Sequence, residues 1–370
     1  MKTVTEKDIK AAWGNPAAIR PRRNCEGIIL GCTDSSGELC VDYKPALTDI
    51  RADENLFITG EGGAAETCDA AVPYCRQAIR RGHSIVITDI RDELYLSLSE
   101  EFRNEGYVVK RLDFSNPENS DTWDLFGSLR NIDFDKDGLK AVTEVLRLSG
   151  NLLSQTEPDA GRSAASAAAY SLLCMHIRKL ILIDRLSALA DSRVVEMVSE
   201  RGIDMFLPNV RKCAYFVSLP DTVGKNCVYS QPLIAAFINN VVYLHEIAER
   251  SRRVQVDFLL RDLGFWQCRI PRLESTLASA KYNKMSFCLI DRFDNLKKLY
   301  CGKAYEILRR CSIWQVLGTG IPDDMLGFLT VIGKADEFSG ELICSRPDSE
   351  TALVSVCGSK PIVLYKNRER

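Results

Sequence analysis

Histidine is nearly missing from this chain: only His83, His176 and His245 occur among 370 residues. Cysteine is plentiful at 14, yet no two cysteines stand in a C-x-x-C pair. A zinc centre of ordinary spacing needs such pairs, or cysteine joined to histidine, so the composition argues against one and no metal is expected. The cysteines instead fall singly, many in apolar runs such as CAYFVSLP around Cys213 and MSFCLID around Cys288. They read as small buried hydrophobes of a reduced, cytoplasmic protein. An excess of one charge is also lacking, since 48 basic residues face 50 acidic ones for a net charge of -2. That balance argues against a cationic track for nucleic acid, so weak or no DNA binding is expected. No apolar run reaches the roughly 18 residues of a membrane span, and the start MKTVTEKDIKAAW lacks the apolar region of a signal peptide. What is present is 46% hydrophobic residues, enough for one large core or two moderate ones.

Along the chain, a helix around Thr5 to Trp13 and a loop with Pro16 and Pro21 lead to the short apolar pieces GIILG and ELCVDY. An alternation follows. NLFITG, HSIVITDI and YVVKRLDF read as strands, separated by helical runs at 66–81 and 93–106. Strands alternating with helices at this spacing predict a parallel sheet buried on both faces. From about Trp123 to Gly202 the pattern is helical, which fits an insertion between strands. The alternation returns with CAYFVSLP, a long helix through IAAFINNVVYLHEIAER, and the strands QVDFLLRD, MSFCLID and IWQVLGTG. ALVSVC and PIVLYK, flanking Gly358, Ser359 and Lys360, predict a closing hairpin. Parallel strands are thus expected near 55–59, 84–89, 107–113, 213–219, 255–260, 285–290 and 313–317.

The stretch ITGEGGAAET, between the first of these strands and its helix, stands where a phosphate loop would be. On the spacing G-x-x-x-x-G-K-[ST], Gly60 comes first, Ala65 takes the second glycine, Glu66 the lysine and Thr67 the hydroxyl. Gly60, Gly62 and Gly63 supply turn freedom, but Glu66 supplies the wrong sign. Two unit charges about 4 Å apart interact by about 4 kcal/mol at an effective dielectric of about 20, so exchanging attraction for repulsion opposes a bound triphosphate. The partner of such a loop is an apolar strand ending in an acidic pair that holds magnesium and polarises water. VQVDFLLRD ends instead in Arg261 and Asp262. Asp89 and Glu93, in ITDIRDELY, admit two readings: acids at the edge of a site, or an acidic cap and first turn of the next helix.

These pieces resemble the cytosolic region of the TraG/VirD4-like coupling proteins of type IV secretion and conjugation. GIILG, NLFITGEGG, Pro73 six residues beyond Thr67, VITDIRDELY, YVVKRLDFSNPENSDTWDLF, VSLPDTVGKN, VDFLLRD, the Ile270–Pro271 pair, LYCGKAYEILRRC and GSKPIVLYK carry the likeness in order. It implies a RecA-like P-loop NTPase fold of α/β class with a mainly parallel sheet and an inserted all-helical domain. The expected division is an N-terminal segment 1–50, a first RecA-like part 51–124, a helical insertion 125–205 and a second RecA-like part 206–370. Members are membrane-anchored hexameric motors that use ATP and Mg2+. This chain departs where the chemistry lies: Ala65 and Glu66 in a vestigial loop, Arg261 and Asp262 at the acidic pair, and Ile290 where a sensing glutamine is usual. The expectation is a chain with no catalytic residues and no bound cofactor, cytoplasmic or peripheral to an inner-membrane secretion complex. Its partners would be proteins of the transfer machinery, and it would be a monomer or low-order oligomer. The alternative is an ATP-dependent DNA-translocating enzyme with atypical residues. Glu66 and Arg261, reversed in sign from lysine and aspartate, are expected to face one another and close the vacant pocket.

Overall fold

The computed structural model describes residues 5–13, 19–22, 26–45, 53–60, 67–125, 192–199, 202–219, 225–249, 253–318, 348–357 and 359–367. Its strands are β1 (Ile19–Arg22), β2 (Ile28–Cys32), β3 (Cys40–Tyr43), β4 (Leu56–Gly60), β5 (Ser84–Ile90), β6 (Val108–Asp113), β7 (Cys213–Leu219), β8 (Val256–Arg261), β9 (Met285–Ile290), β10 (Ile313–Leu317), β11 (Thr351–Val356) and β12 (Ile362–Tyr365). They form a single 12-stranded sheet in the order β1-β3-β2-β12-β11-β10-β4-β9-β8-β5-β7-β6.

From β10 to β6 every pairing is parallel. These seven strands are the seven that the apolar runs predict. The hairpin of β11 and β12 is antiparallel, as expected, and β12 joins β2 through the pair Tyr365↔Cys32. The N-terminal strands therefore extend the same sheet. One of them, β1, lies in the stretch read as a proline-bearing loop; among the described strands it pairs with β3 alone, and at such an edge the N–H that Pro21 lacks is not needed for a further ladder.

Helices among the described residues are α1 (Glu6–Trp13), α2 (Val72–Arg81), α3 (Glu93–Asn104), α4 (Ser192–Met197), α5 (Lys225–Ile247), α6 (Leu273–Ser279), α7 (Phe293–Tyr300) and α8 (Ala304–Arg309). Of the expected helical insertion, residues 126–191 lie outside the described residues and α4 is the helical part within them.

Because both faces are covered, the parallel strands are apolar at successive positions rather than alternately. Phe57, Val86, Phe258 and Phe287 enter one core with Leu233 to Val242 of α5, and the Phe258 and Phe287 rings stack at 4.6 Å. Ile58, Ile85, Ile87, Leu259, Cys288 and Ile290 enter the other, with Tyr74 and Ala78 of α2 and Leu94, Leu98 and Phe102 of α3.

The cysteines depart in one place from the reading as separate thiols. Cys32 and Cys40 are cross-strand partners in β2 and β3, their Cα atoms 3.9 Å apart, and form a disulfide. They stand eight positions apart, so no C-x-x-C spacing announced it. Cys213 and Cys288 are buried free thiols, as expected.

Candidate functional site

The phosphate-loop region follows β4, at the carboxyl edge of the parallel strands, where α/β folds build ligand sites. Gly60 ends β4 opposite Leu317 of β10. A Cβ at Gly60 would stand 2.6 Å from the Leu317 carbonyl oxygen, so packing alone requires glycine there. Gly62, Gly63, Ala65 and Glu66 lie outside the described residues. Thr67 opens a π-helical turn, Thr67–Ala71, that runs into α2.

Beside β4 comes β9, and beside that β8, in the registers Ile58↔Ile290 and Ile290↔Arg261. β5 follows with Ile87↔Leu259, so two residues further along each strand Asp89 is level with Arg261. The structure therefore brings Gly60, Ile290, Arg261 and Asp89 to one edge. Ile290 is fully buried among apolar side chains and offers the site only its carbonyl, which accepts the Asp262 N–H at 2.8 Å.

Arg261, at the position of the expected metal-holding acid, is 2% exposed. Its backbone N–H donates to the Thr88 hydroxyl at 2.7 Å, and its guanidinium lies 3.8 Å from a carboxylate oxygen of Glu93. The other Glu93 oxygen is 3.4 Å from Arg91. Glu93 is thus an ion-pair partner of the buried cation. The expected Glu66 contact falls outside the described residues. Asp262 adopts a left-handed backbone at φ 52°. Burial, and then Glu93, hold its carboxyl above the usual range against the pull of Arg261.

Asp89 is fully buried and its carboxylate accepts the N–H groups of Leu94 and Tyr95 at 3.0 and 2.8 Å. It caps the first turn of α3, although it sits in the preceding strand rather than at the helix boundary. Of the two readings of ITDIRDELY, the cap describes Asp89; Glu93 stands in the first turn of α3 and pairs with Arg261, which neither reading included. Desolvation pushes the Asp89 carboxyl up to about 6 despite those two N–H bonds and Arg261. The boundary residue is Asp92, held left-handed at φ 58° with its carboxylate on the Arg111 guanidinium and the Ser218 hydroxyl. Arg111 also binds Asp113 and lies 5.0 Å from the Tyr95 ring centroid. The sequence reading passed over this cluster. Its signal was the polar run in VVKRLD, whose first four residues are half-buried where its neighbours are buried.

Two histidines lie elsewhere. His83 precedes β5 at the opposite edge and contacts buried Asp257 at 3.0 Å through Nδ1, while His245 is buried in the last turn of α5. Among the described residues no three side chains of histidine, cysteine, aspartate or glutamate gather as a metal would require.

A divalent metal does not fit at the end of β8, where the buried Arg261 guanidinium would repel it. Glu66, expected at the lysine place of the loop, lies outside the described residues.

No family model matches the chain, and no curated protein matches it. Solved structures do. A bacterial conjugative coupling protein, TrwBdeltaN70 in its unbound monoclinic form, is 13% identical with TM-score 0.58, over 94% of this chain and 90% of that one. TrwB in complex with the non-hydrolysable GTP analogue GDPNP is 14% identical with TM-score 0.59, over 94% and 91%. VirB4 of Thermoanaerobacter pseudethanolicus is 17% identical with TM-score 0.53, over 93% and 97%. At such identities the likeness is one of fold, and the fold is the RecA-like P-loop NTPase fold with a mainly parallel core that these structures share.

Proposed function

We propose that this chain is a non-hydrolysing relative of the TraG/VirD4-like coupling proteins, acting through protein contacts as an accessory component of conjugative DNA transfer or type IV secretion. The observation that carries the reading is Arg261, buried to 2% exposure where a hydrolase would keep its magnesium-binding acid. A buried cation there opposes a divalent metal, and Glu66 opposes the triphosphate from the loop. The chain has no catalytic residue in this reading, and the degenerate loop and acidic pair make it a pseudo-ATPase. Its place is the cytoplasmic side of a secretion complex. No helix among the described residues is long and apolar enough to cross a membrane.

Titration with ATP and Mg2+ tests it: no binding at millimolar nucleotide is expected, and micromolar binding would overturn it. The second reading is an ATP-dependent translocating enzyme with atypical residues. It is favoured by the similar TrwB structures solved with ADPNP and with ADP and Mg2+. Steady-state phosphate release in the presence of DNA would establish that reading instead.

A further inference from the structure

The Cys32–Cys40 disulfide sits at a mechanical junction of the sheet. β12 reaches the N-terminal strands through one register pair, Tyr365↔Cys32. Tyr365 packs against the small cluster of Ile29, Cys32 and Cys40. The next residue, Lys366, donates to an Asp69 carboxylate oxygen at 2.7 Å, with both side chains deeply buried at 4% and 8% exposure. Asp69 belongs to the π-helical turn Thr67–Ala71 directly behind the phosphate-loop stretch. Disulfide, Tyr365, Lys366, Asp69 and that turn form a continuous run of contacts. A charged pair this buried is costly to separate, because each side chain would lose a close counter-charge in a poorly hydrated place.

We propose that Cys32 and Cys40 are a reversible thiol–disulfide site that sets how tightly the C-terminal strand holds the turn behind the phosphate loop. The inference goes beyond the pseudo-ATPase reading and does not depend on it. Three observations point to reversible exchange rather than a purely structural staple. The two cysteines are eight positions apart, so the loop they close gives less entropic gain than a long one. Cys75, Cys213, Cys288, Cys301 and Cys311 stay as thiols, so the Cys32–Cys40 bond is not part of a general oxidation of the chain. Cys40 begins β3 directly after the exposed turn at 34–39, which gives an exchange partner a way in by local opening.

Glutathione disulfide is the oxidant class. The Cys40 thiolate attacks one glutathione sulfur and expels a glutathione thiolate. The Cys32 thiolate then attacks Cys40 of the mixed disulfide and expels the second. Two protein thiols are oxidised, one glutathione disulfide is reduced, and the two protons released pass to the two glutathiones.

The test equilibrates the whole chain in glutathione buffers of graded ratio, traps thiols by alkylation, and reads the state of each cysteine by peptide mass spectrometry. Hydrogen exchange is followed on the same samples. A Cys32–Cys40 bond is expected to form and break across the series. Amides at 362–367 and at 69–74 are expected to exchange about tenfold more slowly in the oxidised protein. Lys366→Met should leave the response at 362–367 and abolish it at 69–74. Cys40→Ser should abolish both, and if that variant does not fold, the glutathione series on the unmodified chain still decides. The proposal is overturned if Cys32 pairs with another cysteine, if the bond does not respond to the buffer, or if exchange at 69–74 is the same in both states. Nucleotide appears in none of these readouts, so failure here leaves the functional reading standing, and the reverse.

Discussion

Single residues carry the strongest statements about this site. Gly60 looks like the first glycine of a phosphate loop, yet the Leu317 carbonyl oxygen would lie 2.6 Å from any Cβ placed there. Gly60→Ala is therefore expected to lose about 2 kcal/mol of stability by urea unfolding, with or without nucleotide. A gap between the two conditions would return the glycine to a ligand-binding role. Glu66 faces the opposite test. Restoring lysine by Glu66→Lys leaves Arg261 buried at the metal place, two cations where one metal belongs, so no ATPase activity above background is expected in a phosphate-release assay. Measurable turnover would count against the pseudo-ATPase reading. The letters show Glu66 in ITGEGGAAET and Arg261 in VDFLLRD, and the structure adds that Arg261 is buried. Asp92, Arg111 and Ser218 were not legible as a group, because they meet only when β6, β7 and the β5–α3 turn are brought together. No local spacing encodes that meeting.

At the scale of elements, α5 shows how a buried helix end is settled. Its closing carbonyls, of Glu246 and Ala248, accept from the Arg253 guanidinium, which Asn283 also holds at 3.0 Å. His245 is fully buried in this last turn. Burial, then Arg253, and further down Lys284, push its imidazole down from 6.5 to about 4, against the pull of the Asn283 and Lys284 backbone. A depressed histidine stabilises the fold fully above the unfolded value and loses that contribution as pH falls through the folded one. His245 should thus withdraw about 3 kcal/mol between pH 6.5 and 4. Asp53 and Asp89, both raised to about 6 chiefly by burial, act in the opposite sense and gain stability as pH falls toward 3.8. The histidine contribution is therefore read as a difference: between pH 6.5 and 4 the urea-unfolding stability of His245→Phe should rise by about 3 kcal/mol relative to that of the unmodified chain. Parallel slopes would refute it. The same scale explains what sequence reading reached. Six of the seven parallel strands announce themselves as apolar runs because both sheet faces are covered, while β6, at the end of the sheet, carries Lys110, Arg111 and Asp113. The union of β2 with β12 joins residues 32 and 365, and a pairing so distant leaves no trace in either local pattern.

For the whole molecule, the question is assembly. A ring motor places its nucleotide between subunits, so nucleotide contacts help to hold the ring; on the proposed non-hydrolysing reading this chain lacks that contribution. We expect a monomer or low-order oligomer by light scattering at micromolar concentration, unchanged by ATP and Mg2+. The same charge balance bears on DNA. With 48 basic against 50 acidic residues, several of the cations are already committed inside the protein: Arg111 to Asp92 and Asp113, Lys110 to Asp121, Arg81 to Glu54, and Lys366 to Asp69. Each committed cation is one fewer to release counterions from phosphate, the step that drives non-specific affinity. Fluorescence anisotropy with single-stranded and duplex DNA should give a dissociation constant weaker than about 1 µM at 0.15 M salt. A stable hexamer together with tighter, steeply salt-dependent binding would identify a cationic channel assembled between subunits, and with it the translocating enzyme rather than its silent relative.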